Sequence, residues 1–160
     1  MTRGSTTLPR ALPQFGPDAR PGSFHLKVIG KPETQGGMRP VTTRAGNRAL
    51  ISTGSQGLES WRVLITQEAL LAARAQNWET IQSGPVVVSL CFGLLRPKTS
   101  SEPFPGKRPD IDKLTRAVLD SLTDARIWRD DGQVQTLHAC KTWSLEPGVD
   151  IAVFPFHYEH

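Results

Sequence analysis

Four aspartates are the residues whose type and spacing could do chemistry: Asp110 and Asp112, two positions apart, and the adjacent pair Asp130 and Asp131. Carboxylates brought together repel, by about 4 kcal/mol for two unit charges roughly 4 Å apart at an effective dielectric near 20. A site built from them persists by holding a proton or by binding a hard divalent cation. No His or Cys stands among these acids, so the donors are oxygen alone. That chemistry suits Mg²⁺, with Mn²⁺ as a substitute, rather than zinc. A cation held this way bridges acidic side chains to a phosphodiester and activates water for in-line attack.

The charge distribution sharpens that expectation. Of 160 residues, 19 are Lys or Arg and 15 are Asp or Glu, a formal balance of +4. Residues 1–109 carry 14 basic against 6 acidic side chains, whereas residues 110–160 carry 5 against 9. A basic body suits a polyanion such as nucleic acid. The acidic stretch, which also includes Asp120 and Asp124, would repel phosphate unless a cation lay between them.

The positioning elements can be read from periodicity. Residues 1–22, with four Pro and three Gly, read as a flexible tail,. Residues 23–160 read as one domain. Alternation of Phe24, Leu26 and Val28 predicts a strand with one buried face. Residues 31–57 read as a long basic loop holding Lys31, Arg39, Arg44 and Arg48, a functional arm or a disordered excursion. Leu58, Trp61, Ile65, Leu70 (or Ala69) and Ala72 recur at helical spacing up to about Asn77. The run from Val86 to Leu95 is apolar on both parities and predicts a central strand. A second basic loop, 96–109, follows.

Asp110 to Asp124 predicts a second helix, with Asp110 as its N-cap and Leu114, Val118, Leu122 and Ala125 on the buried face. Asp112, Arg116, Asp120 and Asp124 share the other face, and Asp120 and Asp124 read as solvated positions. Two more strands are expected at 133–142 and 149–156, joined by a turn at 146–148. The order β-α-β-α-β-β implies an α+β fold, a single domain with one mixed sheet and two main helices. For Asp131 to reach the Asp110 end of the helix, residues 125–129 must run back along it.

At these residues the chain resembles the RusA family of Holliday junction resolvases. The resemblance rests on Pro-Asp-Ile-Asp-Lys-Leu from Pro109, Ala-Val-Leu-Asp-Ser-Leu from Ala117, Trp-Arg-Asp-Asp-Gly-Gln-Val from Trp128, and Lys141. It is specific over 109–141, looser for Gly30-Lys-Pro and the Trp61 helix, and absent for residues 1–22. It implies a RusA-like domain, a homodimer, and a Mg²⁺-dependent endonuclease that resolves four-way DNA junctions by paired symmetric nicks in recombination and repair. Asp110, Asp112 and Asp131 match the family's metal-binding acids, and Asp130 matches the first acid of the pair. Two departures stand out: Lys113 replaces the usual Asn, and Arg116 replaces the usual Lys. Arg116 keeps the charge but cannot deprotonate, so it could stabilise phosphate charge without transferring a proton. Lys31, Arg39, Arg44, Lys107 and Lys141 are the expected DNA contacts.

Other classes find less support. There is no nucleophile elbow and no phosphate-binding glycine loop. Phosphatases with Asp-x-Asp place the nucleophile after an apolar strand, whereas Pro-Gly-Lys-Arg-Pro precedes Asp110. A nucleotide-sugar transferase would need a longer chain. The remaining rival is a non-catalytic basic DNA-binding protein whose acids only cap a helix. Cys91 and Cys140 form no Cys-x-x-Cys, which argues against a disulfide framework and for a reducing compartment. No apolar run is long enough to span a membrane and the start has no apolar signal core. The expected location is therefore the cytoplasm of a bacterial or phage-infected cell.

Overall fold

The computed structural model describes residues 22–52 and 54–156. The proposed tail, apart from Gly22, and His157 and His160 lie outside the described residues. The chain forms β1 (Phe24–Ile29), β2 (Met38–Thr42), β3 (Arg48–Ser52), α1 (Leu58–Ala75), β4 (Val86–Leu94), α2 (Ile111–Asp124), β5 (Val134–Trp143) and β6 (Gly148–Pro155).

One four-stranded mixed sheet runs in the order β1-β6-β4-β5. β6 pairs antiparallel with β1 and β4, and β5 runs parallel to β4. Phe24, Leu26, Val28, Val86, Val88, Leu90, Phe92, Val149, Ile151 and Val153 are buried in one core with residues of both helices. The apolar stripe of α2, Leu114, Val118 and Leu122, is fully buried there, as its spacing predicts,. On α1, Trp61, Ile65 and Ala69 face the core while Leu70 is 42% exposed, so Ala69 is the inward residue. Gly148 is required where β6 meets β1, since a Cβ there would collide with the Val28 carbonyl. The predicted β-α-β-α-β-β order is the order of the main sheet and its helices.

The long basic loop contains structure that the sequence reading did not anticipate. β2 and β3 form a separate antiparallel hairpin, with Arg39 opposite Ile51 and Pro40 opposite Leu50. Its turn is closed by Thr43 N–H donating to the Asn47 carbonyl (2.8 Å) and Gly46 N–H donating to the Thr43 carbonyl (2.8 Å). Gly46 takes φ +80°, a conformation glycine adopts without strain,. Arg39, Arg44, Arg48 and Leu50 are all exposed.

Candidate active site

The β4-α2-β5 crossover decides where each acid lies. β4 ends at Leu94, and loop 95–110 leads into α2. Lys141, late in β5, donates from Nζ to the carbonyls of Lys107 (2.8 Å) and Pro109 (3.0 Å). The start of α2 is thereby tied to the carboxyl ends of β4 and β5. A cis peptide joins Arg108 to Pro109 just before it.

Asp110 occupies the N-cap position with extended backbone, but its side chain makes no capping hydrogen bond. It instead pairs with Lys113 Nζ at 3.0 Å. The bond and charge of Lys113, helped by Arg108 and Lys141, hold the Asp110 carboxyl below its ordinary range,. Asp112 stands exposed in the first turn of the same helix. Two carboxylates at a helix N-terminus sit where the macrodipole favours negative charge. Lys107, Arg108, Lys113 and Arg116, all exposed, flank them along the chain. Phe104, 69% exposed, lies on the same loop, whose Glu102 carbonyl accepts from Trp143 Nε1 at 2.9 Å and from Arg96.

The second acidic pair lies at the opposite end of the crossover. Residues 125–129 do not run back toward Asp110: Trp128 bridges to Ile81, below the start of β4, and β5 begins there. Asp130 caps a single 3₁₀ turn, Asp131–Gln133, its carboxylate accepting from Gly132 N–H at 2.9 Å. Gln133 completes the reciprocal cap by accepting from Asp130 N–H, and donates to the carbonyls of Ile81 (3.2 Å) and Gly84 (3.0 Å),. Asp130 thus has a structural duty that Asp131 lacks.

The two carboxyls of this pair share a hydrogen bond and separate electrostatically. Burial, the bond to Asp130 and the charges of Asp130 and Asp120 push Asp131 up. The Gly132 N–H and the bond to Asp131 pull Asp130 down. Asp120 therefore belongs electrostatically with Asp131. It also accepts from Gln35 Nε2 at 2.5 Å, while Gln35 N–H donates to the Lys113 carbonyl at 3.1 Å. The segment leading to the hairpin is strapped over α2 by these two bonds.

Asp120 is a site-region residue that sequence reasoning set aside as solvated. The available signal was its place one turn beyond Arg116 and two beyond Asp112, a line of alternating charge along one helix face. Asp124, by contrast, pairs with Arg62 at 2.9 Å and joins α2 to α1.

Asp112 and Asp120 are separated by about 12 Å of helix rise, and Val134 to Lys141 by about 23 Å of strand. Asp131, which feels the charge of Asp120, therefore stands at the opposite end of α2 from the Asp110/Asp112 pair within one chain. Among the described residues no three His, Cys, Asp or Glu side chains are close enough to share a metal ion. The Asp110/Asp112 pair alone still fits Mg²⁺ chemically, because that ion is often held by one or two carboxylates plus substrate phosphate. Of the expected basic contacts, Lys31 (paired with Glu33 at 3.5 Å), Arg39, Arg44 and Lys107 are exposed. Lys141 is half-buried and spends two of its donors on backbone carbonyls.

The raised Asp131 carboxyl carries a stability consequence. A group whose folded value lies above its unfolded one stabilises the fold while protonated, and that contribution is lost as pH rises through the folded value. At neutral pH the ionised Asp131 opposes folding. Asp131→Asn is expected to melt at or above the wild-type temperature at pH 7, with the difference shrinking toward acidic pH. A variant clearly less stable than wild type at pH 7 would contradict this placement.

A mixed sheet covered on one face by two helices, with acids and a basic fringe at one end of the crossover, is an arrangement that suits an enzyme acting on a phosphodiester. Residues 30–154 match the family described as Endodeoxyribonuclease RusA. The chain belongs to that family: it is an endodeoxyribonuclease, of a family that resolves Holliday junctions. It is also 30% identical over 99 residues to the uncharacterized protein YqaN of Bacillus subtilis (strain 168), covering 54% of this chain and 69% of that protein. Family membership sets aside the non-catalytic DNA-binding reading. Among the described residues no helix is long and apolar enough to cross a membrane.

Proposed function

We propose that this endonuclease is a Mg²⁺-dependent homodimer that resolves four-way junctions by paired symmetric nicks during DNA recombination and repair, in the cytoplasm of a bacterial or phage-infected cell. The observation that carries the reading is the Asp110/Asp112 pair at the N-terminus of α2, with the charges of Lys113, Arg108 and Lys141 acting on Asp110 and exposed Lys107 and Arg116 within four residues along the chain. Asp110 and Asp112 would hold the ion, with Mn²⁺ as a substitute. When bound, the ion lowers the barrier to water attack on the phosphodiester and offsets charge in the transition state.

The chain's own residues do the rest. Lys113 favours the ionised form of Asp110, which is the form a ligand needs,. Lys141 fixes the backbone on which Asp110 is mounted. Arg116, which cannot give up its proton, neutralises charge on the phosphate. The exposed hairpin follows the DNA backbone through Arg39 and Arg44, with Lys31 and Lys107 adding sequence-independent attraction.

Asp131 enters the reading through the two-fold axis. Since one chain holds its acids at two ends of the crossover, we infer that a second copy, related by two-fold symmetry, supplies its Asp131 to the Asp110/Asp112 pair of the first. A symmetric pair also matches a substrate in which two strands are cut in related positions.

The reading is tested by nicking of a synthetic four-way junction with Mg²⁺ and with chelator. Paired nicks only with the metal are expected, and binding without cleavage in either Mg²⁺ or Mn²⁺ would overturn it. Junction affinity against salt tests the contacts. Replacing Lys31, Arg39, Arg44 and Lys107 by Ala should flatten the log–log slope by about 3–4, and an unchanged slope would remove them from the interface.

A further inference from the structure

The face of the sheet opposite the helices carries a pair of thiols that the nuclease chemistry does not use. Cys91 on β4 and Cys140 on β5 are directly opposed in the parallel register, and both point away from the core whose neighbours are Leu90 and Phe92. Their sulfurs lie 3.1 Å apart, with Cys140 exposed and Cys91 half-buried. Adjacent strands set their Cα atoms about 4.8 Å apart, inside the roughly 4.4–6.8 Å range that a disulfide spans.

We propose that Cys91 and Cys140 form a reversible dithiol site for peroxide, closing to a disulfide that staples β4 to β5. The chain enclosed between them, residues 92–139, carries Asp110, Asp112, Arg116, Asp120, Asp130 and Asp131. Every acid of the candidate site therefore lies within the loop that the bond would close. Cys140 also immediately precedes Lys141, whose ammonium holds the backbone before Asp110. The staple falls at the strand register that anchors the α2 N-terminus.

The roles of the two sulfurs differ. Cys140 is open to solvent and is the attacking group. Burial, the bond to Cys140 and the charges of Cys140 and Asp150 push the Cys91 thiol up to about 12, so it remains protonated and waits as the resolving group,. In the first step the Cys140 thiolate attacks one oxygen of hydrogen peroxide. The O–O bond breaks, sulfenic acid forms, and the released hydroxide takes a proton to become water. In the second, the Cys91 sulfur attacks the sulfenic sulfur. The S–O bond breaks, and the departing hydroxide leaves as water with the Cys91 proton. Two thiols are oxidised and one peroxide is reduced to two waters. A thiol reductant returns the pair to dithiol.

The experiment treats the whole protein with stoichiometric hydrogen peroxide, then alkylates and digests it without reductant. The expected result is a linked pair of peptides containing Cys91 and Cys140, from monomer-mass protein, released by dithiothreitol. Cys91→Ser should instead accumulate Cys140 sulfenic acid, trapped by dimedone. The oxidised wild type should melt higher by about 5 °C or more, since closing a long loop restricts the unfolded chain. Recovery of both cysteines alkylated, sulfenic acid accumulating on wild-type Cys140, or linkage only between two chains would each overturn the proposal. None of these readouts depends on cleavage, so failure of the nuclease reading would leave the test intact.

Discussion

Asp112→Asn is expected to lower junction cleavage by at least about 100-fold, because a divalent ion contributes several kcal/mol to the transition state and each factor of ten is about 1.36 kcal/mol. The substitution nearly preserves volume and keeps an oxygen in place, but an amide oxygen is a weaker ligand than a carboxylate and carries no charge. The fold should hardly notice. Asp112 is exposed in the first turn of α2, makes no ion pair among the described residues, and contributes its favourable place near the helix dipole, about 0.3–1 kcal/mol,.

Binding should move the other way. With chelator present, Asp112 is a negative charge facing an approaching phosphate, so its removal should tighten metal-free junction binding. Loss of cleavage with unchanged melting and tighter metal-free binding is a combination that a merely misfolded protein would not produce. Equal cleavage rates for the two proteins would refute Asp112 as a ligand.

How much of this was legible in the sequence differs from residue to residue. The strand at Phe24 and the α2 stripe of Leu114, Val118 and Leu122 follow from period, because each buries one face and the pattern records which, while the central strand at Val86 follows from its unbroken apolar, β-branched run. The hairpin did not announce itself, because burial writes no pattern where neither face is buried. Arg39, Arg48, Leu50 and Ile51 all remain exposed, and Pro40 sits within a strand that pairs on one side only,. Its local clue was Gly46-Asn47 between two short runs, a turn signal without flanking alternation.

The acids were legible as residues but not as a site. Spacing placed Asp110 and Asp112 on one helix end and Asp130 and Asp131 in a turn. Which end that turn occupies is a matter of crossover topology: a helix between two parallel strands must leave from the end opposite its entry. Residues 125–129 are held at the Ile81 end by Ile127 and Trp128, both fully buried, and by Ile81 N–H donating to the Ile127 carbonyl at 3.3 Å. Nothing in the aspartate spacing encodes that. Asp110 offers a second instance, since a residue suited to capping by type instead gives its carboxylate to Lys113.

That topology makes the sharpest prediction about the dimer. Asp112→Asn and Asp131→Asn should each be inactive alone, and mixing them after exchange of subunits should restore nicking. In a mixed pair, one site inherits both substitutions while the other receives Asp112 from one copy and Asp131 from its partner, both intact. Random exchange makes half of the dimers mixed, each with one working site, so nicking should recover to about a quarter of the wild-type rate. Because the mixed dimer cuts only one of the two related strands, it should leave nicked junctions rather than resolved duplexes. If each site were built from a single chain, every site in the mixture would carry one substitution and no activity would return. Full activity of Asp131→Asn by itself would instead reduce the site to Asp110 and Asp112. Subunit exchange can be verified independently by mass, so silence from a mixture shown to contain mixed dimers would end the shared-site reading.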